Sequence, residues 1–339
     1  EWEIGGDFRF LDDKVSLSLT YYDNIIEGIL LNVALSPSSG YSTQYGNYGE
    51  MTNNGLEIDL GLDLIDTAEF GLSTAINWST NENEVTDLFG TESINLSPGA
   101  SVSSRAVVGY PLGSLYGTGS QTNPDGSFIL NSNGFPQITS SPIVLGDPNP
   151  DWRGGISLSM RYKKFRLNAV LEHSEGGDFS PRTLWVLNRF GTTQETANRL
   201  TLDQPLVNYR GNTIPAGTTV RGNVRDFGGG PVLLDENWYR TGIGGGFGDN
   251  QAYNFSIADA TFTKLRDLSL SYVIDTPLVT NIGLSDVIVS VTGRDLININ
   301  NVEGIDPEIN TKGVSVAQGV EYFTNPQTKG FLFSLTINY

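Results

Sequence analysis

Apolar and polar side chains alternate one by one along several stretches of this sequence. Between residues 56 and 64, leucine and isoleucine alternate with Glu57, Asp59 and Asp63. Successive side chains of a β-strand point to opposite faces, so this period of two predicts strands with one apolar and one polar face. The pattern recurs at 2–10, 15–21, 56–64, 70–79, 152–162, 165–172, 268–274, 287–294 and 331–339. We therefore predict about nine long strands, and we find no segment with a convincing helical period.

The connections between these strands fall into two length classes that alternate along the chain. Short turns are predicted at 11–14, 64–69, 163–164 and 275–285. Long loops are predicted at 33–48, 80–150, 175–257 and 298–328. Short turns at one rim and long loops at the other are typical of an outer-membrane β-barrel.

A soluble β-sandwich or β-solenoid also alternates, so it is the main alternative fold. Two observations favour the membrane. Aromatic residues such as Trp78, Trp152, Tyr162 and Tyr272 lie at strand ends, where barrels carry interfacial girdles. The polar face also carries charges, which suit a wet lumen and would be costly in a sandwich core. The predicted fold class is an all-β, transmembrane antiparallel β-barrel in the cell outer membrane, in contact with its lipid.

Composition excludes several classes of function. The chain has no cysteine, which excludes disulfides and thiolate metal sites, and its single histidine, His173, argues against histidine-based metal sites and catalytic triads. The formal net charge of −18 argues against binding nucleic acid, because phosphate backbones are repelled. We expect no catalytic residues, no cofactor and no metal. Asp147–Asp151 is a weak calcium alternative, since it offers hard oxygen ligands but lacks EF-hand spacing.

One strand breaks the alternation. The order Phe262, Lys264, Leu265 and Arg266 does not continue the pattern of residues 268–274. A β-bulge inserts one extra residue and shifts the phase, and bulges are common at barrel rims. We predict a bulge near Arg266 and Asp267.

Several short motifs occur in the order in which one transporter family has them. Asn53-Asn54-Gly55-Leu56-Glu57 resembles an N-x-G-x-E strand, and residues 262–272 resemble a strand of the form Y-V-R-L-K-N-L-T-L-G-Y. Gly293-Arg294-Asp295-Leu296, followed by residues 304–308 (GIDPE), is similar to G-x-N-L and G-x-D-P-E. Residues 108–111, 115–117 and 146–150 also match. The chain thus resembles SusC/RagA-type TonB-dependent outer-membrane transporters over nearly its whole length.

The resemblance implies a specific architecture and partners. It implies that residues 1–339 are the C-terminal portion of a 22-stranded barrel whose plug domain is not in this chain. It also implies a SusD-like surface lipoprotein as a lid and energy from the TonB complex through the missing N-terminal part. The cargo would be an oligosaccharide or a peptide. Because an open sheet leaves edge groups unpaired, we expect segments 2–10 and 331–339 to pair with further strands.

The loop 175–257 is the best candidate for a binding region, because its basic residues are all arginine and it carries several aromatic residues. Arginine and aromatic side chains are enriched at recognition surfaces. The predicted contacts with substrate or lid are Trp185, Tyr209, Trp238, Tyr239 and Arg240. The alternative is that these side chains pack on neighbouring loops. The glycine-rich run 242–248 lacks the context of a phosphate loop and is predicted to be loop.

Two other functions remain open from the residues. The first is another outer-membrane barrel, such as a porin, an adhesin or a secretion component. The second is a secreted carbohydrate-binding or hydrolytic β-protein, which would dissolve without detergent. The leading hypothesis is active import through a plugged barrel.

Overall fold

Nine antiparallel strands form one sheet in which each strand pairs with the next one in the sequence. The structure is a computed structural model that describes residues 1–97, 101–241, 251–302, 304–311 and 318–339, so the glycine-rich run 242–248 lies outside the described residues. The sheet strands are β1 (Trp2–Phe10), β2 (Val15–Glu27), β3 (Glu50–Asp66), β4 (Phe70–Asp87), β5 (Trp152–Tyr162), β6 (Phe165–Glu175), β7 (Phe262–Ile274), β8 (Asp286–Asn300) and β9 (Gly330–Asn338). The predicted all-β fold class and strand count are confirmed.

The register explains why the two faces differ. In an antiparallel pair, directly opposed residues have their side chains on the same face. Leu17, Leu60, Ile76, Ile156 and Leu171 form one continuous row across five strands. The row one residue away on the other face includes Ser18, Asp59, Asn77, Glu172 and Lys264. The sheet therefore has one apolar face and one polar face along its whole width.

Aromatic residues mark both ends of the apolar face. Phe70, Tyr162, Phe165 and Tyr272 are opposed in one row at the short-turn end. At the other end of β5, the ring of Trp152 lies 4.7 Å from the ring of His173. The 11 residues of β5 span about 34 Å, which at a strand tilt of ~40° gives a band about 25 Å tall. This height matches the apolar band of an outer-membrane barrel.

Most fully buried hydrophobic side chains lie in the long loops or at the strand ends next to them. On the apolar face of the sheet, by contrast, Ile156, Leu335 and Phe333 are 44%, 64% and 79% exposed. The largest buried clusters are formed by residues near the long-loop rim, such as Val85 and Leu88, and by aromatic residues such as Phe135 and Trp238. The loops thus have their own cores, whereas the sheet presents its apolar face outward.

The loops contain short elements, and here one sequence prediction is wrong. In the part of the chain that the structure describes, four helices are present where none was predicted. They are α1 (Arg182–Phe190), α2 (Gln194–Ala197), α3 (Glu236–Thr241) and α4 (Pro277–Thr280), with 3-10 turns at Pro37–Ser39 and Tyr253–Ser256. The short strands are Leu30–Ala34, Thr43–Asn47, Ser93–Ser97, Ser103–Val107, Ser114–Gly117, Ile143–Gly146, Asp178–Pro181, Arg199–Thr201, Leu206–Val207, Thr213–Ile214, Thr219–Arg221, Asn223–Asp226, Pro231–Leu234, Ala258–Asp259 and Val320–Glu321. Helices of four to nine residues are too short to show a clear period in the sequence.

The sheet strands also run further than the alternation indicated. β2 continues to Glu27, beyond the alternation at 15–21, and β4 continues to Asp87, so pairing within the sheet extends into the segment predicted as loop 80–150. A hairpin, Leu30–Ala34 with Thr43–Asn47, occupies most of the first of these loops. The alternation of apolar and polar residues ends where both faces of the sheet are polar or both are packed, although the backbone hydrogen bonds between the strands continue. Among the described residues, no helix is long and apolar enough to cross a membrane.

Candidate functional site

The predicted contact residues Trp238 and Tyr239 lie in a buried aromatic cluster. Both are on α3, and they are 3% and 4% exposed. The ring of Trp238 lies 5.6 Å from that of Phe135 and 5.5 Å from that of Phe227. Phe135 comes from the loop between β4 and β5, so the cluster joins the two longest loops. These positions match the alternative in which the aromatic side chains pack on neighbouring loops.

Tyr209 and Trp185 have different surroundings. Tyr209 is half-buried and packs edge-on against Phe135, with ring centroids 5.3 Å apart, and against Trp238 at 6.0 Å. Trp185 is half-buried on α1, outside this cluster. The structure therefore brings Tyr209, Trp238 and Tyr239 together and leaves Trp185 on a separate helix.

Arg240 borders an open cleft between α1 and α3. It is exposed, and its Nη1 lies 2.5 Å from a carboxylate oxygen of Glu236, one helical turn earlier. The cleft has a volume of about 740 Å³. Its lining residues include Arg189, Phe190, Arg221, Asp235, Glu236, Tyr239 and Arg240. Phe190 is 71% exposed, so the cleft offers an apolar ring next to guanidinium and carboxylate groups.

The wall of the cleft is fixed by hydrogen bonds. The Tyr239 hydroxyl donates to Glu195 at 3.0 Å and accepts from the Asn223 amide at 2.9 Å. Burial, followed by the nearby Glu195, raises the pKa of Tyr239, so the phenol stays protonated. Arg221 donates from Nε to the Thr196 carbonyl at 2.5 Å and also to the carbonyl of Gly191. Arg225 lies 5.0 Å from the centre of the Phe227 ring. Arginines that the sequence offered for recognition therefore also hold the loop together.

A second cluster, which the sequence analysis missed, lies on the polar face of the sheet near the long-loop rim. Lys264 of β7 is 1% exposed. Its ammonium group donates to both carboxylate oxygens of Asp306, at 2.8 and 2.7 Å, and to Glu308 at 2.7 Å. Arg266 donates to both oxygens of Glu308, at 2.8 and 2.5 Å, and to Glu172 at 2.6 Å. Burial alone raises the pKa of Glu308, but the hydrogen bonds from Arg266 and Lys264 lower it to about 2.

The predicted bulge brings these two cations together. Leu265 pairs with Leu171 and Asp267 with Val170, so Arg266 is the extra residue between them. The insertion shifts the phase and leaves Lys264 and Asp267 on the same polar face. The partners come from residues 304–308, the G-x-D-P-E motif. The phase break and the motif were the two sequence signals for this cluster, but nothing in the sequence connected them.

The N-x-G-x-E motif also has a steric explanation. Gly55 of β3 is directly opposed by Tyr22 of β2 and by Asn81 of β4. A Cβ atom on Gly55 would lie 2.5 Å from the backbone carbonyl oxygen of Thr80 and would meet the Tyr22 ring. The Asn81 amide donates to the Tyr22 hydroxyl at 2.9 Å and to Asn53 at 2.8 Å. Glycine is required because the tyrosine ring occupies the space of a side chain.

The acidic loop segment considered for calcium forms a junction within the chain. Asp178 accepts a hydrogen bond from the Asp147 amide at 2.8 Å, and Asp147 accepts one from the Asn149 amide nitrogen at 3.0 Å. Burial raises the pKa of both Asp147 and Asp178. Within the described part of the chain, no group of three or more acidic or histidine side chains is placed to hold a metal ion.

Comparison with known proteins shows that the chain is similar to TonB-dependent receptors. The model of the TonB dependent receptor-like β-barrel matches residues 1–141. TonB-dependent receptor P3 of Formosa agariphila is 25% identical over 370 aligned residues, which cover 99% of this chain and 34% of that protein. SusC of Bacteroides thetaiotaomicron is 26% identical over 188 residues, or 51% of this chain and 19% of that protein. The chain is similar to the barrel portions of TonB-dependent receptors of the SusC/RagA type.

Solved structures of RagAB share the fold of this chain. The RagAB peptide transporter aligns with a TM-score of 0.69 at 18% identity, covering 99% of this chain and 35% of that one. The RagAB peptide importer in its open-open state aligns with a TM-score of 0.66. The chain spans about a third of the length of the curated relatives it matches over its whole length. The resemblance in the order of motifs is thereby confirmed.

Proposed function

We propose that this chain forms part of the wall of an outer-membrane importer that takes up oligosaccharides or peptides with energy from the TonB complex. The observation that carries the proposal is the two-faced sheet, with aromatic rows about 25 Å apart on its apolar face. Such a face is stable against lipid, while the polar face suits a hydrated lumen. The relatives are named as receptors and transporters, and we propose import without catalysis for this chain as well.

The proposed partners follow from the family and from the sheet edges. Strands β1 and β9 are the two edges of the nine-stranded sheet. Unpaired backbone groups are costly in hydrocarbon, so we propose that both edges pair with further strands of a 22-stranded barrel. The rest of that receptor would supply the plug and the contact with TonB. A SusD-like lipoprotein would cover the long loops, and the cleft between α1 and α3 is the proposed contact with lid or cargo.

The structures of RagAB are named as those of a peptide transporter, which supports a peptide cargo, whereas SusC and the Formosa receptors leave an oligosaccharide open. The cleft itself favours neither class strongly. Its exposed ring and arginines suit stacking on a sugar as well as anchoring a peptide. We therefore keep both cargo classes in the proposal.

The test is to express the full-length receptor in its own host with an affinity tag and to purify it from outer membranes in detergent. We expect a surface lipoprotein to copurify and mass spectrometry to detect bound oligosaccharide or peptide. A matched strain with the TonB gene deleted should retain the complex but lose uptake of the radiolabelled ligand. Uptake that persists without TonB would instead indicate a passive porin, and recovery in the soluble fraction would contradict the membrane assignment.

A further inference from the structure

Helix α1, which borders the cleft, lacks a cap from its own segment. Its N-cap residue is Pro181, which makes no side-chain capping bond. The first N–H groups of a helix need acceptors, and a carboxylate near them is favourable because of the helix dipole. Glu321, from the loop between β8 and β9, supplies this acceptor. Its carboxylate accepts from the Thr183 amide at 3.2 Å and from the Thr183 hydroxyl at 2.6 Å.

Glu321 is built into this position. It is 2% exposed, and it also accepts from the amide and hydroxyl of Thr324, at 3.1 and 3.0 Å. A buried carboxylate is tolerated when several donors satisfy it, as they do here. Next to it, Tyr322 lies under the guanidinium of Arg182, 4.5 Å from ring centre to Cζ. The loop therefore holds the first turn of α1 from two sides.

The other end of the same loop is attached to the sheet. Asp306 and Glu308 bind Lys264 and Arg266 of β7, as described above. Thr311 links this end to Val320, the residue before Glu321, because its amide and its hydroxyl both donate to the carbonyl of Val320, at 2.9 and 3.0 Å. The described residues 304–311 and 318–324 thus form a bracket from the polar face of the sheet to the first turn of α1.

We propose that Glu321 and Lys264 are positioning residues that fix α1, and with it the cleft side that carries Arg189 and Phe190. The bracket connects β7 to α1, so the position of β7 determines where α1 lies, although α1 belongs to a different loop. This role gains its functional meaning from the proposed function, in which the cleft contacts lid or cargo. Its physical content, the immobilisation of α1 by a remote ion pair, is independent of transport.

The experiment is hydrogen–deuterium exchange on the full-length receptor in detergent. For Glu321→Gln we expect amide exchange within residues 183–190 to rise about fivefold, the factor that corresponds to a lost cap of ~1 kcal/mol. The decisive variant is Lys264→Met, which is not in contact with α1. It should raise exchange in residues 183–190 as well, and Lys264→Arg should restore part of the protection. A purely local role of Lys264 would affect only residues 304–311.

The control is Glu236→Gln, which removes an exposed carboxylate that lines the same cleft, and exchange in α1 should not change. If Glu321→Gln fails to assemble, Thr183→Val removes the hydroxyl that donates to Glu321 and accepts from the Phe323 amide, keeps the Thr183 amide bond to Glu321, and should have a smaller effect of the same sign. A spin label at Phe190→Cys gives a second readout, because this chain has no cysteine of its own.

Unchanged exchange and label mobility in the Lys264 variant would overturn the proposal. If the α1 amides are protected as expected but the receptor imports neither oligosaccharide nor peptide, the proposed function is refuted and the positioning role is not.

Discussion

The two halves of the polar face balance their charges in different ways. On β5 to β8, the basic half, three cations have partners within the chain: Lys264 with Asp306, Arg266 with Glu308, and Arg161 with Asp66. On β1 and β3 the same face carries five carboxylates. These are Glu3, Asp7, Glu57, Asp59 and Asp63, and within the described residues none of them has an ion-pair partner.

The difference shows which half of the polar face is neutralised by a loop of this chain. The basic half is covered by the loop between β8 and β9, which supplies Asp306 and Glu308. The acidic half has no such cover, and like charges two residues apart on one face lie within a Debye length of one another. Its strands are instead fitted sterically, through the packing of Tyr22 on Gly55. We expect the rest of the receptor to present cations to this half.

The largest loss of stability should come from removing Lys264, the buried cation of the basic half. Lys264→Met leaves Asp306 buried without its partner, and breaking a buried pair in this way costs about 3–5 kcal/mol. Denaturant unfolding of the full-length receptor in detergent measures the loss. Asp59→Asn, in the exposed acidic half, is the matched control and should change stability by less than about 0.5 kcal/mol. Equal effects of the two variants would remove the distinction between the halves.

A smaller loss is expected from the steric contact in the acidic half. Gly55→Ala places a methyl group against a backbone carbonyl and the Tyr22 ring, and such overpacking costs about 1–3 kcal/mol. Gly61→Ala on the same strand is the control, because a Cβ there meets only the Ser16 side chain, which can rotate away. Thermal unfolding followed by circular dichroism compares the two. A Gly55→Ala receptor as stable as Gly61→Ala would mean that β2 and β3 are not fitted at this point.

Neutralising the unpaired carboxylates should give a smaller change that depends on salt. For Glu57→Gln/Asp59→Asn/Asp63→Asn in the full-length receptor we expect a lower melting temperature, because cations facing this wall lose their partners. The difference from wild type should shrink at high salt, which screens exposed charges. Glu82→Gln/Glu84→Gln, two exposed acids on β4, is the control pair. A higher melting temperature in the triple variant would show that repulsion among the carboxylates is not compensated.

The smallest effect concerns pH, where two loop contacts should respond with opposite sign. The pKa of Glu308 is lowered to about 2, so its contribution is fully present above the ordinary carboxylate pKa and is lost progressively as pH falls from there through about 2. The pKa values of Asp147 and Asp178 are raised, so their contact gains stability as pH falls and loses it as pH rises. Between pH 6 and pH 4, exchange near 304–308 should therefore rise slightly, while residues 146–149 become better protected. Asp178→Asn should abolish the second change.

The sequence alone determined the sheet. The period of two fixes which residues share a face, because side chains on a strand must alternate, and register pairs such as Leu60 with Ile76 join apolar residues. The phase break at Phe262–Arg266 even located the bulge. These features are local in the chain, so a single sequence carries them.

Only the tertiary structure decided the site. Glu321 meets Thr183 across 138 residues, and Lys264 meets Asp306 across 42. No local pattern encodes such pairs, because loop closure brings together residues whose spacing is arbitrary. The same holds for Trp238, whose aromatic character suggested recognition, whereas the packing of two long loops buries it. The residues of a strand are recognised from their neighbours in the sequence. The residues of a loop core contact one another only once the sheet has formed and has brought the loops together.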